Sequence, residues 1–274
     1  MPRQSSFDRG CEIWIASIPE FTEHQAALDD LLTPDERAHV DRIREGQATA
    51  RLSRGLLRLV LARYLNLSPD EIEIDRTCPE CGRSHGRPRL RNRPETTPRT
   101  GKRDNPLEPP HASAAVEAIE FSVSHGGGLL VLAFANSAPV GVDVEPIGEL
   151  EDVGAELLDF TLTAPERLRL QKVPAAQRTR SFLHHWTAKE AILKALGAGL
   201  DVAPQAVTLP PVPTNGKASV TLPGSSPVDL WITDVEVGPA HVCTLATGQE
   251  VRELRSARLS PGLLLGQRGQ APNN

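Results

Sequence analysis

In Val140-Gly-Val-Asp-Val-Glu145 apolar and acidic residues alternate, so a strand here carries Asp143 and Glu145 on one face and Val142 and Val144 on the other. Two carboxylates placed like this can share one cation, and oxygen donors suit Mg2+, which prefers octahedral oxygen coordination and takes phosphate as a further ligand. An edge strand with a solvated acidic face would show the same pattern. A second stretch, Phe182-Leu-His-His-Trp-Thr-Ala-Lys-Glu-Ala-Ile-Leu-Lys-Ala-Leu196, has helical period, and Trp186, Glu190 and Lys194 succeed one another at i, i+4 along one face. The chain has 25 arginines and only 5 lysines, yet Lys189 and Lys194 both fall in this helix. Lysine offers a compact charge with an adjustable pKa where arginine does not, so chemistry is expected of the pair rather than surface decoration. In a third stretch, Phe121-Ser-Val-Ser-His125 runs into Gly126-Gly-Gly128. Backbone amides there, with the Ser124 hydroxyl and the His125 ring, would hold a phosphate; a hairpin with an exposed histidine is the simpler alternative.

These residues need elements to position them, and the elements occur twice. Leu32-Thr-Pro-Asp-Glu-Arg37 and Leu162-Thr-Ala-Pro-Glu-Arg167 are near copies 130 residues apart. Each is a helix start, with Thr33 or Thr163 as N-cap, proline in the first turn and a glutamate three residues on that closes a capping box. A longer amphipathic helix comes after each, from about Arg51 to Leu65 and from about Phe182 to Leu196. A strand–turn–strand unit is next, Phe121 to Ala135 around the glycines and Leu230 to Ala246 around Gly238-Pro239. Relative to the second half, the first holds 21 extra residues, and 91–111, rich in Pro, Arg, Thr and Asn, has the composition of a flexible insertion. The expectation is an α+β fold of two similar lobes from an internal duplication. The N-terminal lobe would be 1–138, the C-terminal lobe 139–260 and a frayed tail 261–274, with the active site in the cleft between lobes.

Bulk properties narrow the class. The longest apolar stretch, Leu129 to Ala135, is too short for a membrane span, and the first residues have no apolar signal core. Four cysteines in 274 residues make no disulfide framework, and a reducing, cytoplasmic setting is expected. Residues 37–103 carry 16 Lys and Arg against 8 Asp and Glu, whereas 104–170 carry 2 against 12. Such a split suits a ligand with several phosphates held by arginines on one side and through a metal on the other, and it also suits ordinary solvated faces. Cys78, Cys81 and His85 give three of the four ligands that structural zinc needs. Cys11, Cys243 or His111 would have to be the fourth, and the expectation is a reduced loop without zinc.

Taken together, Phe121-Ser-Val-Ser-His125, Gly141-Val-Asp-Val-Glu145 and Trp186-Thr-Ala-Lys-Glu190-Ala-Ile-Leu-Lys194 resemble, in order, the motifs of the phosphopantetheinyl transferases of the surfactin-synthetase-activating type. The resemblance runs from about Glu12 to Ala246 and includes the Arg51-x-x-x-Gly55 helix and the Gly86-Arg87-Pro88 turn. It implies two α+β lobes in a monomeric chain and transfer of the 4'-phosphopantetheine of coenzyme A to a serine of an apo-acyl or peptidyl carrier protein, releasing adenosine 3',5'-bisphosphate. It further implies Mg2+ on Asp143, Glu145 and Glu190, and coenzyme A contacts from Arg51, Arg87, Ser124, His125 and Lys194. Glu190 would activate the carrier serine and Lys194 would stabilise or protonate the leaving group. Arg87 stands where such enzymes often have lysine. The places that often hold basic residues near the coenzyme A 3'-phosphate hold Glu36 and His39, with Arg37, Arg42 and Arg44 close by.

Three rival readings share these residues: a coenzyme A-binding protein without turnover, a metal-dependent phosphodiesterase, and a zinc interaction module around Cys78, Cys81 and His85. A nucleic-acid role is not expected, because the basic segment has only Tyr64 for stacking. Leu150, Val153, Leu157 and Leu158 are read either as a carrier-docking face or as a helix packed on the core.

Overall fold

A computed structural model describes residues 10–78, 81–82, 86–91, 119–150, 153–198, 202–209, 216–221 and 226–262. The expected insertion at 91–111 and the tail lie almost entirely outside these residues, as does His85. Strand β1 (Gly10–Ser17) alternates buried and half-buried side chains. Short helices α1 (Gln25–Asp29) and α2 (Pro34–Asp41) come next, then the long α3 (Gln47–Leu65). A two-stranded ribbon pairs β2 (Ile74–Asp75) with β3 (Arg89–Leu90). The hairpin of β4 (Ile119–Gly126) and β5 (Leu129–Asn136) turns at Gly127 and Gly128, whose φ values of 53° and 78° are left-handed and favour glycine. Then come β6 (Val140–Pro146), α4 (Ala155–Thr161), α5 (Ala164–Gln171) and α6 (Ala175–Leu196). Strands β7 (Gly216–Val220), β8 (Val228–Asp234), β9 (His241–Thr247) and β10 (Glu253–Arg258) complete the chain.

The fold is α+β, as the sequence leads one to expect, and both capping boxes form: Thr33 with Glu36 opens α2, and Thr163 with Glu166 opens α5. Helix α6 starts seven residues before the expected Phe182, because its first two turns are polar and mostly exposed and show no apolar period. Two four-stranded sheets have the orders β10-β1-β5-β4 and β6-β9-β8-β7. Strand β10 runs parallel to β1, from Gly10 opposite Glu253 to Ile15 opposite Arg258. Residues near the end of the chain, assigned from sequence to the second half, therefore complete the first sheet.

Alternation along the strands decides the layers. Leu130, Leu132 and Phe134 of β5 face a core with Leu52, Leu56, Leu59 and Val60 of α3. Val131, Ala133 and Ala135 face the other way, into a core shared with Cys11, Ile13 and Ile15 of β1, Val140, Val142 and Val144 of β6, and Cys243 and Leu245 of β9. On the outer side of the second sheet, Ala188, Ala191, Ile192 and Ala195 of α6 pack against Leu230, Ile232 and Ala246. The sheets thus bury one face against each other, and a long helix covers each outer face. Among the described residues no helix is long and apolar enough to cross a membrane.

One close approach seats the long helix on the acidic strand. A Cβ on Gly141 would stand 1.9 Å from the carbonyl oxygen of Ala191 and 2.6 Å from the Ala195 nitrogen, so only glycine lets α6 settle this near β6. Gly141→Ala is expected to push helix from strand and destabilise the protein by about 1–3 kcal/mol or more, the range for overpacked cores. A urea titration measures it, and an unchanged midpoint would show that the helix moves away at no cost.

Candidate active site

Strand β6 pairs with β9 on one edge only. On its other edge, serines from β4 take the place of a neighbouring strand: Val142 N–H donates to Ser122 Oγ at 3.1 Å and Val144 N–H to Ser124 Oγ at 3.3 Å. This seam joins the two sheets and fixes Ser124 beside the acidic face of β6. Ser124 Oγ in turn donates to Asp143 Oδ1 at 2.8 Å, and both side chains are buried.

Helix α6 lies across that face, because Gly141 admits it. Lys194 Nζ donates to Asp143 Oδ1 at 2.6 Å, Ser124 Oγ at 3.1 Å and the Val142 carbonyl at 3.2 Å. An ammonium has three hydrogens, so this lysine is saturated. One turn earlier is Glu190, and one turn before that Trp186, whose Nε1 donates to Glu145 Oε1 at 3.2 Å. The i, i+4 face expected of this helix is the one that meets Asp143 and Glu145.

The carboxylates hold unspent capacity. Asp143 Oδ2 and Glu190 Oε1 are buried without any hydrogen-bond partner. Burial first, and the Asp143 charge second, push Glu145 up to about 7, with the Trp186 N–H and Lys194 partly opposing. The same two causes raise Glu190, and Lys194 again opposes. Two carboxyls raised by burial and by the Asp143 charge, with buried oxygens of Asp143 and Glu190 unsatisfied, make a place that a further cation beside Lys194 would suit. All the donors are hard oxygens, which fits Mg2+. Among the described residues no three such side chains are drawn close enough to hold a metal as they stand. Metal binding at this place therefore requires the carboxylates to close in.

Glu145 provides a direct check. Its raised pKa means the native state binds a proton that the unfolded chain has released, so this group costs stability as pH rises from about 4.5 toward 7. Trp186→Phe removes the N–H that favours the ionised form and is expected to raise the Glu145 pKa further. Carbon-13 titration of the carboxyl measures this, and an unmoved or lowered value would contradict the assigned hydrogen bond.

The remaining expected site residues sit at varying distances from this centre. His125 stands at its mouth, where burial of part of the ring and then the Lys194 charge hold its pKa below the usual value. Arg87 reaches the far end of α6: one NH group donates to the Ala195 carbonyl at 3.0 Å, the other to Glu120 at 3.2 Å and the Val140 carbonyl at 3.3 Å. It borders a cavity of about 300 Å³ that is also lined by Pro88, Ile119, Phe121 and Pro139. Arg51 bridges Asp29 and Asp41 and touches none of the other expected site residues. Lys189, expected to do chemistry, is instead fully buried away from the acidic face, bonded to Glu166 at 2.7 Å and to the Thr161 carbonyl at 2.8 Å. Leu150, Val153, Leu157 and Leu158 pack partly buried against a core with Phe182 and Leu183, which favours the packed-helix alternative. Cys11 and Cys243 line the core between the sheets, where burial pushes the Cys11 thiol up to about 12 and Cys243 in the same direction. Gly141 and Ser122 also position the site, a role the motifs alone do not assign them, although strand serines facing an acidic strand are a usable signal.

A sequence profile of the 4'-phosphopantetheinyl transferase superfamily matches residues 139–246, from the start of β6 to the end of β9. This part of the chain is similar to that superfamily. The match takes in Asp143, Glu145, Glu190 and Lys194 together. Relatives extend the likeness beyond it. The 4'-phosphopantetheinyl transferase HetI of Nostoc sp. is 27% identical over 194 residues, 69% of this chain and 70% of its own length. A phosphopantetheinyl transferase of Thraustochytrium sp. is 27% identical over 250 residues, 86% of this chain and 77% of its own. The 4'-phosphopantetheinyl transferase Sfp of Bacillus subtilis is 29% identical over 122 residues, 44% of this chain and 51% of its own.

Proposed function

We propose that this protein transfers the 4'-phosphopantetheine of coenzyme A to a serine of an apo-acyl or peptidyl carrier protein and releases adenosine 3',5'-bisphosphate. The observation that carries the reading is the meeting of Asp143, Glu145, Glu190 and Lys194 on one face, with buried carboxylate oxygens unpartnered, inside the superfamily segment. Asp143, Glu145 and Glu190 would hold Mg2+, which when bound supplies positive charge at the coenzyme A pyrophosphate.

The residues divide the rest of the work. In transfer, the serine Oγ bonds to the phosphorus that carries the pantetheine arm, and the bond from that phosphorus to the bridging oxygen breaks. The electron pair leaves with the bisphosphate. Glu190, on the helix face that meets Asp143 and Glu145, accepts the serine proton directly or through water. Lys194 faces the charge that builds on the leaving oxygen. Ser124, His125 and Arg87 line the path on which coenzyme A would lie, and Arg51 would add charge from α3 after release from Asp29 and Asp41.

Two similar lobes from a duplication, with this site between them, remain part of the reading. Its support is that β1-β5-β4 and β6-β9-β8 have the same antiparallel order, each with a boxed short helix and a long helix between its first strand and its hairpin. The test is to incubate the protein with Mg2+, coenzyme A and a panel of apo-carriers and to record intact carrier mass. A phosphopantetheine-sized gain that disappears with EDTA is expected. Coenzyme A binding without any gain would point to a binder without turnover, and release of the arm from holo-carrier would point to the phosphodiesterase.

A further inference from the structure

Cys78 and Cys81 lie in the connection from β2 to β3, and the proposed transfer makes no use of their thiols. Gly82 N–H donates to the Cys78 carbonyl at 2.9 Å, a bond from fifth residue to first, as in a single turn of α-helix. Gly82 ends that turn with a left-handed φ of 69°, which favours glycine. In a helical turn the Cα atoms of residues three apart stand about 5 Å from each other. A disulfide spans Cα separations of about 4.4–6.8 Å. The chain then folds back on itself. Gly86 N–H donates to the Arg76 carbonyl at 2.7 Å, and a Cβ on Gly86 would meet the Thr77 carbonyl oxygen at 2.7 Å and the Cys78 nitrogen at 2.9 Å. Cys78 and Cys81 are thus kept within bonding reach by a clamped turn that ring closure does not have to unfold.

The two thiols differ in access. Cys78 is 7% exposed, whereas Cys81 faces solvent, so a dissolved disulfide reaches Cys81 first and Cys78 waits behind it. Charge selects among disulfides. Residues 76–91 hold five arginines against one carboxylate, Glu80, a balance that attracts an anionic reagent. Cys11 and Cys243, 1% and 3% exposed between the sheets, are shielded from it. We propose that Cys78 and Cys81 are a redox pair modified by an anionic disulfide of the glutathione type. The Cys81 thiolate attacks one sulfur of that disulfide, the S–S bond breaks, and one glutathione thiolate leaves with the electron pair. The Cys78 thiolate then attacks the Cys81 sulfur and expels the second glutathione thiolate. Two protein thiols are oxidised, one disulfide is reduced to two glutathiones, and the thiol protons end on the leaving groups.

The full-length protein is equilibrated with mixtures of glutathione and its disulfide, quenched in acid, alkylated and read by intact mass and tryptic map. As the disulfide fraction rises, peptide 77–83 is expected to lose two hydrogens while Cys11 and Cys243 remain thiols. Cys81→Ser, a change at an exposed position, should abolish both ring and adduct. Cys78→Ser should instead trap a glutathionyl group on Cys81, about tenfold more than the native chain holds, because a thiol in the same turn outcompetes a second glutathione. At low salt the uncharged 2-hydroxyethyl disulfide should react several-fold more slowly than glutathione disulfide, and equal rates would overturn the choice of an anionic reagent. No ring in the most oxidising mixture, or a lasting glutathionyl group on native Cys81, overturns the pair. So does zinc bound one per chain and lost with Cys81→Ser, since the thiols would then serve a metal. Mass is read throughout, so the outcome is independent of whether transfer occurs.

Discussion

Glu190→Gln is expected to fold normally and to lose carrier modification by about 10²- to 10⁴-fold, the usual worth of a positioned general base. The fold should survive because Glu190 Oε1 has no partner to lose and glutamine has the same shape. Burial and Asp143 together raise the basicity of Glu190, and glutamine cannot take the serine proton at all. As a proposed Mg2+ ligand Glu190 also supports coenzyme A binding, so KM should rise too, and the loss of the base is the part that falls on kcat. Lys194→Met is a poorer test, since it would leave Asp143 and Ser124 without their shared donor and damage structure as well as chemistry. A Glu190→Gln protein with native kcat and raised KM would mean that Glu190 only binds. Native kinetics in every respect would remove it from the reaction.

The acidic strand and the helix face were legible because both obey strict periods. Period 2 puts Asp143 and Glu145 together, and the i, i+4 step puts Trp186, Glu190 and Lys194 above them. The same arithmetic hid the fate of Lys189. It stands one residue before Glu190 and so points about 100° away, toward the boxed turn of α5. Glu166 was visible as a capping residue, but its second role, as partner to a lysine 23 residues on, is a tertiary contact that no local pattern carries. Strand β10 was hidden for a similar reason: Glu-Leu-Arg-Ser-Ala-Arg is mostly exposed, lacks alternation, and pairs with the other end of the chain. Arg54 illustrates the limit for charges. In sequence it is one arginine among 25, and only packing shows that it is buried with donors to spare.

Lys189→Met is expected to be the most damaging single change to stability, at about 3–5 kcal/mol, the cost of leaving one member of a buried pair alone. Lys189 and Glu166 both have fully buried side chains. Burial by itself would raise the Glu166 pKa, yet Lys189 and the N–H groups of Leu209 and Thr163 outweigh it and hold the carboxyl below its ordinary value. The native pair therefore supports stability above the ordinary carboxylate pKa, and that support is lost as pH falls through the lowered folded value. In the methionine variant the sign reverses. Without the ammonium, burial raises Glu166 above its unfolded value, so the variant regains stability as pH falls toward about 4.5. Urea titrations should accordingly show a midpoint about 1 M lower than native at pH 7 and a smaller gap at pH 5. Lys189→Met with Glu166→Gln should recover much of the loss, because the glutamine amide can still accept from Leu209 or Thr163 without a buried charge. A gap that does not narrow in acid, or a double variant no better than the single, would mean that Lys189 stabilises through packing of its stem alone. In that case Glu190 next to it would owe its position to the packing of α6 on Gly141, not to this ion pair.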